Sequence, residues 1–303
     1  MDEPAAPTLT LEPVNAPAPA PTLAPTPRRG IWQRYVTDVR RDADAASGAY
    51  RATTPARVAD RKMIVVLVTT ALSLTCINFL SNGDEPGWLV SPLRAVGLDR
   101  LASTIQQTLT ASSHAQFWQL AMWAVVTVLG YVVLPVFVIR VLLHERVRDY
   151  GLRTGGVARH GGVYATLYAI ALPALVLASF GGAFQHRYPF YDLHPHEGLW
   201  PYLWAWWVLY AMQFVALEFF FRGFVVHGLA PRFGYAAVFV MIVPYNMIHY
   251  GKPMPEALAA IVGGIVLGTL SLKTRSIWWG AALHISIAAT MDLCALWHAG
   301  VVF

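Results

Sequence analysis

Residues 117–143 read FWQLAMWAVVTVLGYVVLPVFVIRVLL. A single charged side chain, Arg140, falls in this stretch, close to its end. About 20 predominantly apolar residues suffice for a helix to cross the hydrocarbon core of a bilayer. An amphipathic helix of a soluble protein would show a polar face, and this stretch has none. It therefore predicts a transmembrane helix. Six other stretches read the same way: 63–80, 163–184, 202–227, 236–250, 257–272 and 277–299. The expected fold is an all-α, polytopic membrane helix bundle of about seven spans.

Composition agrees. The chain of 303 residues is 56% hydrophobic and 13% charged. A soluble domain carries about a quarter charged residues, so half of the usual polar coat is missing. The net charge is +5, and nine of the 22 basic residues lie ahead of Met63, beside seven acidic ones. It reads as basic charge beside a membrane, with no nucleic-acid-reading motif to accompany it. Cys76 and Cys294 both lie in apolar stretches and imply no disulfide framework.

Outward from the spans, residues 1–30 contain APAPAPTLAPTP, whose prolines block helix and sheet pairing. A disordered Pro/Ala-rich tail is expected there, and it lacks the apolar core of a signal peptide. Residues 31–62 form a basic juxtamembrane segment with Arg34, Arg40, Arg41, Arg51, Arg57, Arg61 and Lys62. It is expected to be partly helical and to lie against an anionic membrane face. Residues 63–199 hold the N-terminal spans, and 200–303 a second membrane core. Within 92–110, Leu101, Ile105 and Leu109 recur every fourth residue among polar neighbours, which suits a helix lying in the interface. Basic residues alternate between the loops: the N-terminal arm, Arg140–Arg159, Arg232, and Lys273 with Arg275. The positive-inside rule then puts the N-terminus in the cytoplasm and the C-terminus outside. The expected location is the cell membrane.

Ionisable residues inside a span are costly and face a cavity or a partner. Span four contains Glu218 and Arg222, one helical turn apart and able to pair. Span five contains Tyr245 and His249, and span seven contains His284. With the expected topology, Glu218, His284 and His249 lie roughly 13, 10 and 20 Å from the cytoplasmic side. One shared site is expected. Gly264 and Gly268 on span six have the small-xxx-small spacing of close helix contact. Asp292, two turns beyond His284, is read as a helix-packing group. No internal repeat of the spans points to a transporter.

Three motifs occur in order on separate spans: Leu217-Glu218-Phe-Phe-Phe-Arg222, Tyr245-x-x-x-His249 and His284-x-x-x-Ala288. They resemble the E-E-x-x-x-R, F-x-x-x-H and H-x-x-x-N motifs of the CPBP family of intramembrane proteases. That family includes the type II CAAX prenyl endopeptidases and Abi-like bacteriocin-processing and immunity proteins. The link Asp149-Tyr150-Gly151-Leu152 is similar to a short Gly-Leu element ahead of the family's core. The resemblance implies an intramembrane endopeptidase acting on a membrane-associated or lipid-anchored protein. In the family the first glutamate and the first histidine activate water, while the later histidine and the asparagine stabilise the oxyanion. Leu217 stands at the first-glutamate position and Ala288 at the asparagine position. The resemblance therefore also implies a second reading, a catalytically impaired member that binds or shields a membrane peptide in an immunity or regulatory role.

The expected catalytic set is Glu218, His249 and His284, supported by Arg222 and Tyr245. Glu218 has two readings, a general base or half of a buried ion pair with Arg222. Two histidines and one carboxylate would also suit a divalent metal such as zinc, held by Glu218, His249 and His284 with a position open for water. Metal-bound and metal-free routes both stay open on the sequence.

Overall fold

The computed structural model describes residues 30–83, 86–193 and 199–301. The Pro/Ala-rich tail, apart from Gly30, lies outside the described residues, as do Asp84, Glu85, His194, His196 and Glu197. Among the described residues the regular structure is helical, with one isolated bridge between Leu152 and Ser276. Six continuous helical stretches are long and apolar enough to cross a membrane. The protein is a multi-pass helical membrane protein.

Helix α1 (Asp38–Thr53) follows a π-helical turn, and α2 (Ala56–Leu80) begins after Pro55. The short helices α3 (Gly87–Ala95) and α4 (Asp99–Thr110) replace the single interfacial helix expected over 92–110. The break falls at Gly97, whose φ of +80° a side-chain-bearing residue rarely adopts. Helix α5 (Ala115–Leu142) is the second span. Pro135 has no N–H to give to its helical ladder, and π-helical stretches flank it on both sides. Helices α6 (Gly161–Ser179) and α7 (Gly182–Arg187) follow.

Spans four and five form one continuous stretch, Tyr202–Met247. Helix α8 runs Tyr202–Glu218, widens into π-helix over Phe219–Val225, and closes as Val226–Phe233. Gly234, at φ +58°, turns the chain back into α9 (Ala237–Met247). Any side chain at Gly234 would collide with Asp44. Helices α10 (Met254–Thr274) and α11 (Trp278–His298) complete the bundle.

The centre of the bundle is α8. Phe220, Phe221, Phe224, Val226 and Leu229 are fully enclosed among side chains of α2, α5 and α9. Helix α10 lies close to α9 through the two expected glycines. A Cβ on Gly264 would stand 3.1 Å from the Tyr245 ring, and one on Gly268 would stand 2.9 Å from Val238.

The basic segment is helical as expected, but its inner face meets protein. The Tyr35 hydroxyl lies 3.0 Å from His160 Nδ1, and Ser47 Oγ donates to the Pro231 carbonyl at 3.1 Å. Asp44 accepts the Tyr235 N–H at 2.9 Å. The outer face, with Arg34, Arg40, Arg41 and Arg51, stays exposed.

The Gly-Leu element ties this end of the molecule to α11. Gly151 accepts the Ile277 N–H at 2.8 Å, beside the Leu152–Ser276 bridge. Next to it, the Tyr150 hydroxyl donates to Glu145 at 2.5 Å, and Glu145 also holds Lys62 at 2.8 Å. Burial, reinforced by the Glu145 carboxylate, pushes the Tyr150 phenol well above its ordinary pKa and keeps it a donor.

Candidate active site

The site begins at the last turn of α8 before the helix widens. Glu218 is fully buried, and its Oε1 lies 3.1 Å from Nη1 of the equally buried Arg222. The two are one turn apart, so they form one side of a single helix. No guanidinium N–H is aligned on the carboxylate, so the pair is held by charge. The guanidinium carbon stands 3.9 Å from the centre of the Tyr245 ring, a cation–π contact reaching from α8 to α9.

Glu218 also faces α11. Its Oε1 is 2.7 Å from His284 Nδ1, and its Oε2 lies against Gly280 so closely that a Cβ there would be at 2.6 Å. Gly280, one turn before His284, is the position that lets the carboxylate reach the helix. Paired with Arg222, the carboxylate is ionised and accepts, so His284 Nδ1 carries the proton. Nε2 is then the acceptor, and the Tyr245 hydroxyl is 3.3 Å from it. Phe214 stacks on the imidazole at a centroid distance of 5.5 Å and fixes its plane.

His249 sits just past the end of α9. Its Nδ1 is 2.9 Å from the carbonyl oxygen of Tyr245. A carbonyl only accepts, so Nδ1 carries the proton here too and Nε2 is bare. The Tyr245 and His249 rings are 4.8 Å apart, centre to centre. Tyr245 thus touches Arg222, His249 and His284.

These groups border a cavity of 1410 Å³ between the helices. Its lining includes His249, His284 and Tyr245, together with Leu217 and Ala288. The two positions where the resemblance expects a glutamate and an asparagine therefore face the same cavity as the histidines, with apolar side chains. Glu218 and Arg222 are not in the lining and sit behind it. Glu218 reaches the cavity through His284.

The expected ligand set of Glu218, His249 and His284 does not fit a metal ion. Among the described residues no three His, Cys, Asp or Glu side chains gather closely enough to hold one. Glu218 is engaged by Arg222 and by His284 Nδ1, while the Nδ1 of His249 is spent on a backbone carbonyl. Asp292 is buried and accepts the Trp207 indole N–H at 3.1 Å, a contact between α11 and α8.

One carboxylate that the sequence places at the entrance of span six, without a site role, also reaches the cavity. Glu256, in the first turn of α10, is the one carboxylate among the described lining residues. Lys252 donates to it at 2.6 Å and the Tyr188 hydroxyl at 2.9 Å. Burial and the Glu256 charge hold the Tyr188 phenol well above its ordinary pKa. The i,i+4 spacing of Lys252 and Glu256 is visible in the sequence, but the shared cavity depends on the fold.

Residues 199–290 match the family model described as Rce1-like, type II CAAX prenyl endopeptidase. The match runs from the start of α8 into α11 and takes in all three motifs, under a third of the chain. The match and the three motifs in this segment point to the same family. No curated protein and no solved structure matches the chain.

Proposed function

We propose that the protein is an intramembrane endopeptidase that hydrolyses a peptide bond of a membrane-associated or lipid-anchored protein, with a CAAX-type C-terminus as the substrate class. The observation that carries this reading is the geometry of the two histidines. Both imidazoles border one cavity, and both have Nδ1 tied to an acceptor, leaving Nε2 for chemistry. With Leu217 in place of a glutamate, His249 Nε2 is the base for water. Glu218 fixes the His284 ring through Nδ1–H, on the cavity wall that the carbonyl oxygen meets. Water forms a C–O bond to the carbonyl carbon and gives one proton to His249. When the C–N bond breaks, His249 returns that proton to the departing amine.

The N-terminus is placed in the cytoplasm on the alternation of basic loops. A reporter fused at Arg159 reads cytoplasmic on this topology, and an external signal there reverses it.

The test uses the full chain in lipid nanodiscs with a prenylated peptide ending in a CAAX-type sequence. The native protein cleaves it slowly, and His249→Ala lowers the rate by about 10²–10⁴, the usual value of a general base. Native-rate cleavage by His249→Ala removes this mechanism. A second reading rests on Leu217 and Ala288, which leave the cavity without two polar groups: a member that binds a membrane peptide without cutting it. If native protein and the Leu217→Glu/Ala288→Asn variant both bind the peptide and leave it intact, that reading replaces the enzyme.

A further inference from the structure

Tyr245 occupies the position where the resembled motif has phenylalanine. Its added hydroxyl is the feature of the site with no counterpart in that motif. The ring makes the cation–π contact with Arg222, the guanidinium also bears on the phenol oxygen, and the backbone carbonyl holds His249. The hydroxyl is directed at His284 Nε2, 3.3 Å away, on the wall of the cavity. On the same wall Ala288, one turn after His284, offers a methyl group where the motif has an amide donor. The cavity has thus lost one neutral donor from α11 and gained another from α9.

From this exchange we infer that the Tyr245 hydroxyl is a catalytic residue, the neutral donor to the substrate oxyanion in place of the missing asparagine. The inference rests on the endopeptidase reading above. In the resting site the O–H donates to His284 Nε2. When the peptide carbonyl enters, the O–H turns to it, a rotation about a single bond. As water adds, the carbonyl π pair moves onto oxygen, and Tyr245 donates a hydrogen bond to it without giving up its proton. Arg222 behind the ring holds the phenol in place, so the donor is set before the reaction.

Tyr245→Phe removes this hydroxyl and keeps the ring. Melting in detergent should stay at the native value, since the cation–π contact and the His249 bond to the backbone remain. The cleavage rate of the prenylated CAAX-type peptide should fall about 10²–10³-fold in kcat with KM little changed, as for loss of one oxyanion donor. Adding Ala288→Asn to Tyr245→Phe should restore part of the rate. An unchanged kcat in Tyr245→Phe overturns the inference, and so does a loss confined to KM or accompanied by a lower melting temperature. A second arm does not need turnover. A phosphinate analogue of the peptide, which carries the tetrahedral oxygen, should bind Tyr245→Phe at least tenfold more weakly than the native chain. The uncleaved parent peptide should bind both alike. If the native chain cleaves nothing, the endopeptidase reading falls. Equal affinity of the two proteins for the phosphinate then overturns the Tyr245 role as well.

Discussion

The stretch Tyr202–Met247 and the helix of residues 157–179 are both apolar enough to span a bilayer, yet they stand differently in the molecule. Of the most apolar window, 56% is buried within the protein in the first and 6% in the second. The mostly exposed α2, with 22%, resembles the second. Apolarity therefore says which segments leave water and nothing about whether lipid or protein receives them. The difference lies in the other residues. The central stretch carries Glu218 and Arg222, whose charges must be met by protein. Beyond Lys62 in α2 and beyond His160 in the second helix, the outer helices carry no charged side chain.

The largest expected effect tests the central stretch. Arg222→Leu leaves the Glu218 carboxylate buried without its counter-charge. Removing one partner of a buried pair costs about 3–5 kcal/mol. Thermal unfolding in detergent should show a severely destabilised protein. The double variant Glu218→Leu/Arg222→Leu should be less damaged, because two apolar side chains replace two charges. If the double variant is as unstable as Arg222→Leu, the pair is not what the centre of the bundle is built around.

A smaller effect separates two glycines of consecutive helices. Gly280→Ala would put a Cβ 2.6 Å from Glu218 Oε2. Overpacking of this kind costs about 1–3 kcal/mol. It would also push the carboxylate off His284, so cleavage should fall more than stability. Gly263→Ala on α10 meets nothing within 4 Å. There the change should be neutral or stabilising by up to about 1 kcal/mol, the helical preference of alanine over glycine. Equal outcomes at both positions, in melting temperature and in cleavage, would remove Gly280 from the site's construction.

Much of this was legible in the sequence, for reasons that also explain the rest. Apolar runs located each span to within several residues. Arg57, Asp60, Arg61 and Lys62 are polar, so hydropathy starts the span at Met63, whereas the helix begins at Ala56 behind Pro55. Helix geometry gave the Glu218–Arg222 pair, since its partners are one turn apart. Contacts across the fold were beyond reach. His284 meets Glu218 from 66 residues away, and Glu256 joins the cavity only through the placement of α10. The basic segment shows a further limit. A polar helix with one buried face looks the same whether protein or membrane covers it, and here Tyr35, Val39 and Ser47 are covered by protein.

The smallest effect is the sharpest test of the comparison, because it holds residue type and helix constant. Val66 and Val68 are both on α2, two residues apart, so they point to different sides of the helix. Val66 is fully enclosed, belongs to the central cluster, and packs so closely on Gly228 that a Cβ there would stand 2.9 Å from it. Val68 is 60% exposed. Valine to alanine removes two methyl-sized groups, worth roughly 0.8 kcal/mol each when buried. Val66→Ala should therefore cost about 1.5 kcal/mol or somewhat more, since a cavity would remain beside Gly228. Val68→Ala should stay within about 0.5 kcal/mol of the native protein, as exposed substitutions do. The measurement is thermal unfolding of both variants in the same detergent. If Val68→Ala destabilises as much as Val66→Ala, the outer side of α2 is covered by something other than lipid or detergent. The division between a central stretch buried in protein and outer helices facing lipid would then fail at α2 first.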